Sequence, residues 1–106
     1  PTLAQHIIPF LGQKNYRPAV IEAFKLYGVQ IIPLLSKNVQ DRLQPLSVLR
    51  FIPAAMQTFH SKEAVHHLLS ILTDNDLTIR LEVVRALSAI RTTHPHLKFK
   101  MQEPAF

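Results

Sequence analysis

Apolar residues in this chain recur at helical spacing. From Tyr16 they follow at offsets of 4, 7, 8 and 11 residues, as Val20, Ala23, Phe24 and Tyr27. From Ile79 they follow at the same offsets, as Val83, Ala86, Leu87 and Ile90. Those offsets draw one stripe down the side of an α-helix. In both stripes an arginine, Arg17 or Arg80, comes directly after the first apolar residue. Arg42 opens a weaker third copy with Pro45, Val48, Leu49 and Ile52. The pattern predicts helices over residues 3–11, 17–27, 30–36, 44–52, 62–72 and 77–92. Gly28 is positioned to stop the second helix, Ser61 to cap the fifth with Glu63 in its first turn, and Asp76 to cap the sixth. Pro45 is expected in the first turn of the fourth helix. Pro9 and Pro33 fall inside short helices at matching positions, where each begins or kinks its helix. From Thr93 onward no helical stripe continues.

The chain also repeats itself. His6-Ile7-Ile8-Pro9-Phe10-Leu11 reads much like Gln30-Ile31-Ile32-Pro33-Leu34-Leu35, at an offset of 24 residues. The three arginines are spaced by 25 and then 38 residues, so residues 53–60 read as an insertion. Helical pairs this short cannot bury their own stripes, and stacking successive pairs completes the burial. The expected fold is therefore all-α, a right-handed α-solenoid of about three helical hairpins. It forms a single unit over residues 1–106 with a non-repeat tail at 93–106. A compact helical bundle without repeats is the alternative.

Composition agrees with packed helices. Of the 106 residues 47% are hydrophobic, and only two are glycine, too few for a turn-rich β design. No apolar run approaches the roughly 20 residues needed to span a membrane, and no signal peptide is visible. The chain begins Pro1-Thr2-Leu3 without an initiator methionine and stops at Ala105-Phe106, which suggests a piece of a longer protein. Having no cysteine, it makes no disulfide and no thiol chemistry. That composition fits a reducing compartment, and a cytoplasmic location is expected. The net charge of +5 favours anionic partners, but the basic residues are scattered.

The segment from Leu72 to Ile90 carries a resemblance. A loop aspartate (Asp74), an apolar-arginine pair (Ile79-Arg80) and an alanine-leucine pair seven residues on (Ala86-Leu87) resemble a short bacterial HEAT repeat, of the type also seen in phycobilisome-lyase-like proteins. Tyr16-Arg17 with Ala23-Phe24 matches in part, without the loop aspartate, and Asp41-Arg42 with Val48-Leu49 matches more weakly. The resemblance covers residues 3–92, and its 24–25 residue spacing is short beside the usual period of about 40. It implies a ladder in which Arg17, Arg42 and Arg80 pair with loop acids such as Asp74 in the adjacent repeat. It also implies a non-catalytic interaction or regulatory scaffold, whose partner is a protein or adjacent repeats of a parent chain. The stretch from Ala86 to Phe99 is similar to the exit from HEAT domains of bacterial nucleotide-translocase-like membrane proteins. That similarity implies the cytosolic domain of such a protein, with any membrane segment outside this sequence.

Candidate chemistry is sparse. Lys25, Arg50, Arg85 and Arg91 lie off the apolar stripes and are the candidate partner contacts. His66-His67 point about 100° apart on a helix, so they do not share a face. His94 and His96 are close in sequence but lack supporting ligands, and no metal is expected. Asp74 and Asp76 begin like a calcium loop, but no glycine stands at its sixth position and no glutamate at its twelfth. No phosphate loop or nucleophile triad is present, so neither an enzyme nor a cofactor is expected. Sequence-independent nucleic-acid binding through a basic face is the competing functional reading.

Overall fold

A computed structural model describes residues 2–93. Among these the chain is all-helical. The helices are α1 (Thr2–Ile7), α2 (Arg17–Tyr27), α3 (Ile32–Gln40), α4 (Leu46–Leu49), α5 (Ile52–Gln57), α6 (Lys62–Ser70) and α7 (Leu77–Thr93). Short 3₁₀ turns follow α1 (Ile8–Gly12) and precede α3 (Val29–Ile31).

Proline marks where these helices begin. Pro9, Pro18, Pro33 and Pro53 each stand in the first two positions of a helix. There the missing N–H removes no bond, and the fixed φ is already helical. Pro9 thus ends α1 and starts a 3₁₀ turn, so the single helix expected over residues 3–11 is two. Pro53 starts α5, so the stretch read as an insertion carries a packed helix with Ile52, Pro53, Ala55 and Met56 buried. Pro45 is extended, at φ −61° and ψ 154°, and stands just before α4 rather than within its first turn.

The caps follow their residue chemistry. Ser61 Oγ accepts the Ala64 N–H at 3.2 Å, and Asp76 Oδ2 accepts the Ile79 N–H at 2.9 Å. Gly28 ends α2 at φ 81° and ψ −172°, a region open only to glycine. There its N–H donates to the carbonyls of Phe24 and Lys25, and the chain turns through 108° into the next helical segment.

One core runs through all the helices, built from residues such as Ile8, Phe24, Leu35, Leu49, Met56, Leu68, Ile79 and Leu87. The turn after α1 packs on α2 and α4, α3 packs on α5 and α6, and α7 packs on both α5 and α6. Gly12 lets α4 come close, since a Cβ there would stand 3.1 Å from Val48 Cγ2.

A polar contact reaches into this core. Asn38, fully buried, exchanges amide hydrogen bonds with Gln5: Gln5 Nε2 donates to Asn38 Oδ1 at 2.9 Å, and Asn38 Nδ2 donates to Gln5 Oε1 at 3.1 Å. Asn38 Nδ2 also donates to the Leu34 carbonyl at 2.8 Å. A buried amide is tolerated only when satisfied in this way. The pair explains why α3 runs on to Gln40, four residues past its expected end.

Gly28→Ala isolates the backbone term, because a Cβ there meets nothing within 4 Å. The substitution should destabilise the fold by about 1–3 kcal/mol, read from the urea midpoint. An unchanged midpoint would mean that Gly28 is not held in this conformation.

Candidate interaction groove

The loop between α6 and α7 gathers two carboxylates. Asp74 Oδ1 accepts the Asp76 N–H at 2.8 Å, folding the loop on itself, while Asp76 caps α7. Both carboxylates are then gripped by arginines from the turns that follow α3 and α4. Arg42 donates from Nη1 and Nη2 to Asp74 at 2.9 and 2.7 Å. Arg50 donates from Nε and Nη2 to Asp76 at 3.1 and 2.9 Å. Two-pronged pairing of this kind fixes orientation as well as charge. To make its pair, Arg42 takes up a positive φ of 51°, in the left-handed region that costs a non-glycine residue about 1–2 kcal/mol.

The electrostatics follow from this geometry. Arg50's hydrogen bond, then the Ile79 N–H, hold the Asp76 carboxyl down at about 2, below the usual carboxylate range. For Asp74, burial pushes the pKa up, but the Arg42 hydrogen bond and the Asp76 N–H outweigh it and leave it lowered. Both aspartates are therefore already occupied as partners.

Beside Arg50 runs a groove of about 440 Å³ lined by Gly12, Arg17, Ser47, Arg50, Phe51, Thr78 and Glu82. It crosses segments from the start of α2, from α4 and from the first turns of α7. Arg17 Nε donates to the Leu11 carbonyl at 2.7 Å, and its guanidinium carbon lies 3.5 Å from the centre of the Phe51 ring. This is a cation–π contact on a partly exposed ring, and it holds a planar cation at the groove wall. Glu82 closes the far side and accepts from Arg85 Nη1 at 3.0 Å. A second cavity of about 350 Å³ lies beside the Arg42–Asp74 pair, with Gln40, Ser70 and Thr73 on its walls.

The residues singled out from sequence are distributed as follows. Arg42 and Asp74 meet. Arg50 is engaged by Asp76 and also faces the groove, and Arg85 reaches the groove only through Glu82. Arg17 rests on an aromatic ring rather than on an acid. Arg80 points elsewhere, and its Nε is buried without a hydrogen-bond partner among the described residues. Lys25 lies 3.7 Å from Glu22 on α2, and Arg91 is exposed in the last turn of α7. Phe51 and Glu82 were not singled out. Phe51 sits between two short helices, and Glu82 reads as one more exposed helix residue.

No group of three potential metal ligands occurs among the described residues. The rings of His66 and His67 meet edge-on at 5.2 Å, and burial, then the neighbouring ring, lowers the His67 pKa. His94 and His96 lie outside the described residues. No single described helix is long and apolar enough to cross a membrane. Comparison with protein-family models, with curated proteins and with solved structures finds no match.

A carboxylate whose pKa is lower in the folded than in the unfolded chain adds stability above its unfolded value, and that stability is lost as pH falls through the folded value. For Asp76 the window runs from about 4, the ordinary aspartate value, down to about 2. The thermal midpoint of the wild type should fall across this window. In Asp76→Asn it should start lower and fall less. Parallel acid curves for the two proteins would contradict the pairing of Asp76 with Arg50.

Proposed function

We propose that the chain is a stack of HEAT-like helical hairpins that serves as a non-catalytic interaction module, and that the groove walled by Arg17, Arg50 and Phe51 takes an extended acidic segment of a protein partner. One observation carries the reading. The groove crosses helices from three successive parts of the chain, so a ligand lying in it touches all of them at once. The packing order supports a stack: α1 is tied to α3 through Gln5 and Asn38, α3 packs on α6, and α5 packs on α7. Successive hairpins α1–α2, α3–α5 and α6–α7 would then each touch the next, as in a solenoid.

The groove favours a carboxylate-bearing peptide over a nucleic acid. Phosphate-backbone binding draws its strength from several unpaired cations along one track. Here Lys25, Arg42, Arg50 and Arg85 each already face an acid. Among the described residues Arg17 is the groove cation that forms no ion pair, and with Phe51 it offers a mixed charged and apolar wall suited to a side chain such as glutamate followed by leucine.

The test is fluorescence anisotropy with a labelled twelve-residue peptide of alternating glutamate and leucine, against a scrambled lysine version and a single-stranded DNA oligonucleotide. Binding of the acidic peptide that weakens about tenfold or more in Arg17→Glu, with the helical circular-dichroism signal intact, supports the groove. Preferential binding of the DNA, falling steeply with salt, would replace this reading with the nucleic-acid one.

A further inference from the structure

The last of the three repeating arginines differs from the others in what it meets. Arg17 reaches forward along the chain to the Phe51 ring, and Arg42 reaches forward to Asp74. Arg80 has no such partner among the described residues, and its Nε is buried without one. With Leu77, Leu81 and Val84 it walls a hollow of about 230 Å³ on the outer side of α7. Leu77 is 69% exposed and Leu81 48% exposed. A cation set in an apolar hollow is costly to cover unless the covering surface brings an anion.

Such a surface lies at the other end of the same chain. Ile7, Phe10, Tyr16, Ala19, Val20 and Ala23 line a hollow of about 290 Å³ on α1 and α2. Phe10 and Tyr16 stack edge-on within it, 5.6 Å apart. One turn on, Leu26 is 90% exposed. Glu22 flanks this stripe on α2, and its carboxylate is held only by a loose 3.7 Å pair with Lys25. Each end therefore offers an apolar helix stripe with a charge at its edge, and the two charges are opposite.

We infer that a second copy of this chain docks head to tail, its α1–α2 end covering the α7 hollow and its Glu22 receiving the Arg80 guanidinium. The two surfaces differ, so the contact is heterologous and leaves one free surface of each kind at the ends of any assembly. Further copies can add, so assembly continues past the dimer. The inference rests on the stacked-hairpin reading and extends it by supplying the next layer of the stack.

Sedimentation velocity of the full chain across the micromolar range tests it, with Leu81→Glu spoiling the α7 surface and Leu26→Glu spoiling the α2 surface. Both positions are exposed, and circular dichroism checks that each variant stays folded. The wild-type mass should rise with concentration past the dimer, and each variant alone should stay a monomer. An equal mixture of the two should stop at a dimer, because each variant keeps the surface that the other lacks. Arg80→Glu should weaken association about tenfold or more, and adding Glu22→Arg should restore it. A monomeric wild type, a variant that assembles like the wild type, or a mixture that forms no dimer would overturn the inference. Neither variant lies in the Arg17 groove. A chain that stays monomeric while Arg17-dependent peptide binding persists therefore sinks the assembly and leaves the stacked-hairpin reading standing. Assembly that persists without any peptide binding would instead keep the stack and sink the peptide-binding role of the groove.

Discussion

Six of the seven α-helices here are too short to stand alone, and that constraint shapes the rest of the molecule. Isolated helices shorter than about 12–15 residues are marginal in water, and six of the seven α-helices span 4 to 11 residues. Each persists because its apolar stripe is covered by neighbours. Leu35 and Val39 on α3, Leu68 on α6 and Ile79 and Val83 on α7 are all fully buried within one continuous core. Not every apolar residue is covered: Leu26 on α2 and Leu77 on α7 stay exposed.

Polar contacts select the arrangement in which this burial occurs. The loop before α7 is folded by its own aspartates and clasped by Arg42 and Arg50, so α7 enters at a set angle to the helices that precede it. An exposed ion pair alone contributes little, about 0–1 kcal/mol. These pairs are two-pronged, and their carboxylates are mostly buried while part of each arginine is exposed. Their main role is orientation. The same placement of Arg50 leaves it on the wall of the groove, so one side chain both fixes a joint and borders that groove.

Strong periodicity was legible in the sequence, and local chemistry that contradicts its usual meaning was not. The bounds of α2 follow from the stripe beginning at Tyr16 and the stop at Gly28. The caps at Ser61 and Asp76 follow from residue type and position. Helix α5 was hidden because the arginine spacing made residues 53–60 read as an insertion, whereas Pro53 initiates a helix there. The end of α3 was hidden because Lys37, Asn38 and Gln40 look like a polar exit, while Asn38 is buried against a partner 33 residues away. The Arg50–Asp76 pair spans 26 residues, and nothing local to either residue announces it. Arg42 stood out by its place in the repeat, and Asp74 by its place in the loop, so that pair was the accessible one.

The Gln5–Asn38 pair carries a consequence for mechanics. Two amides facing each other, Asn38 fully buried and Gln5 half-buried, satisfy each other in one relative position only. If α1 slid along α3 by a turn, the two would lose each other, and the buried Asn38 would keep only its bond to the Leu34 carbonyl. A purely aliphatic contact could glide through a range of offsets with gradual loss. This joint works instead as a detent, seated or disengaged, so bending strain applied to the molecule would be taken up at its other joints first.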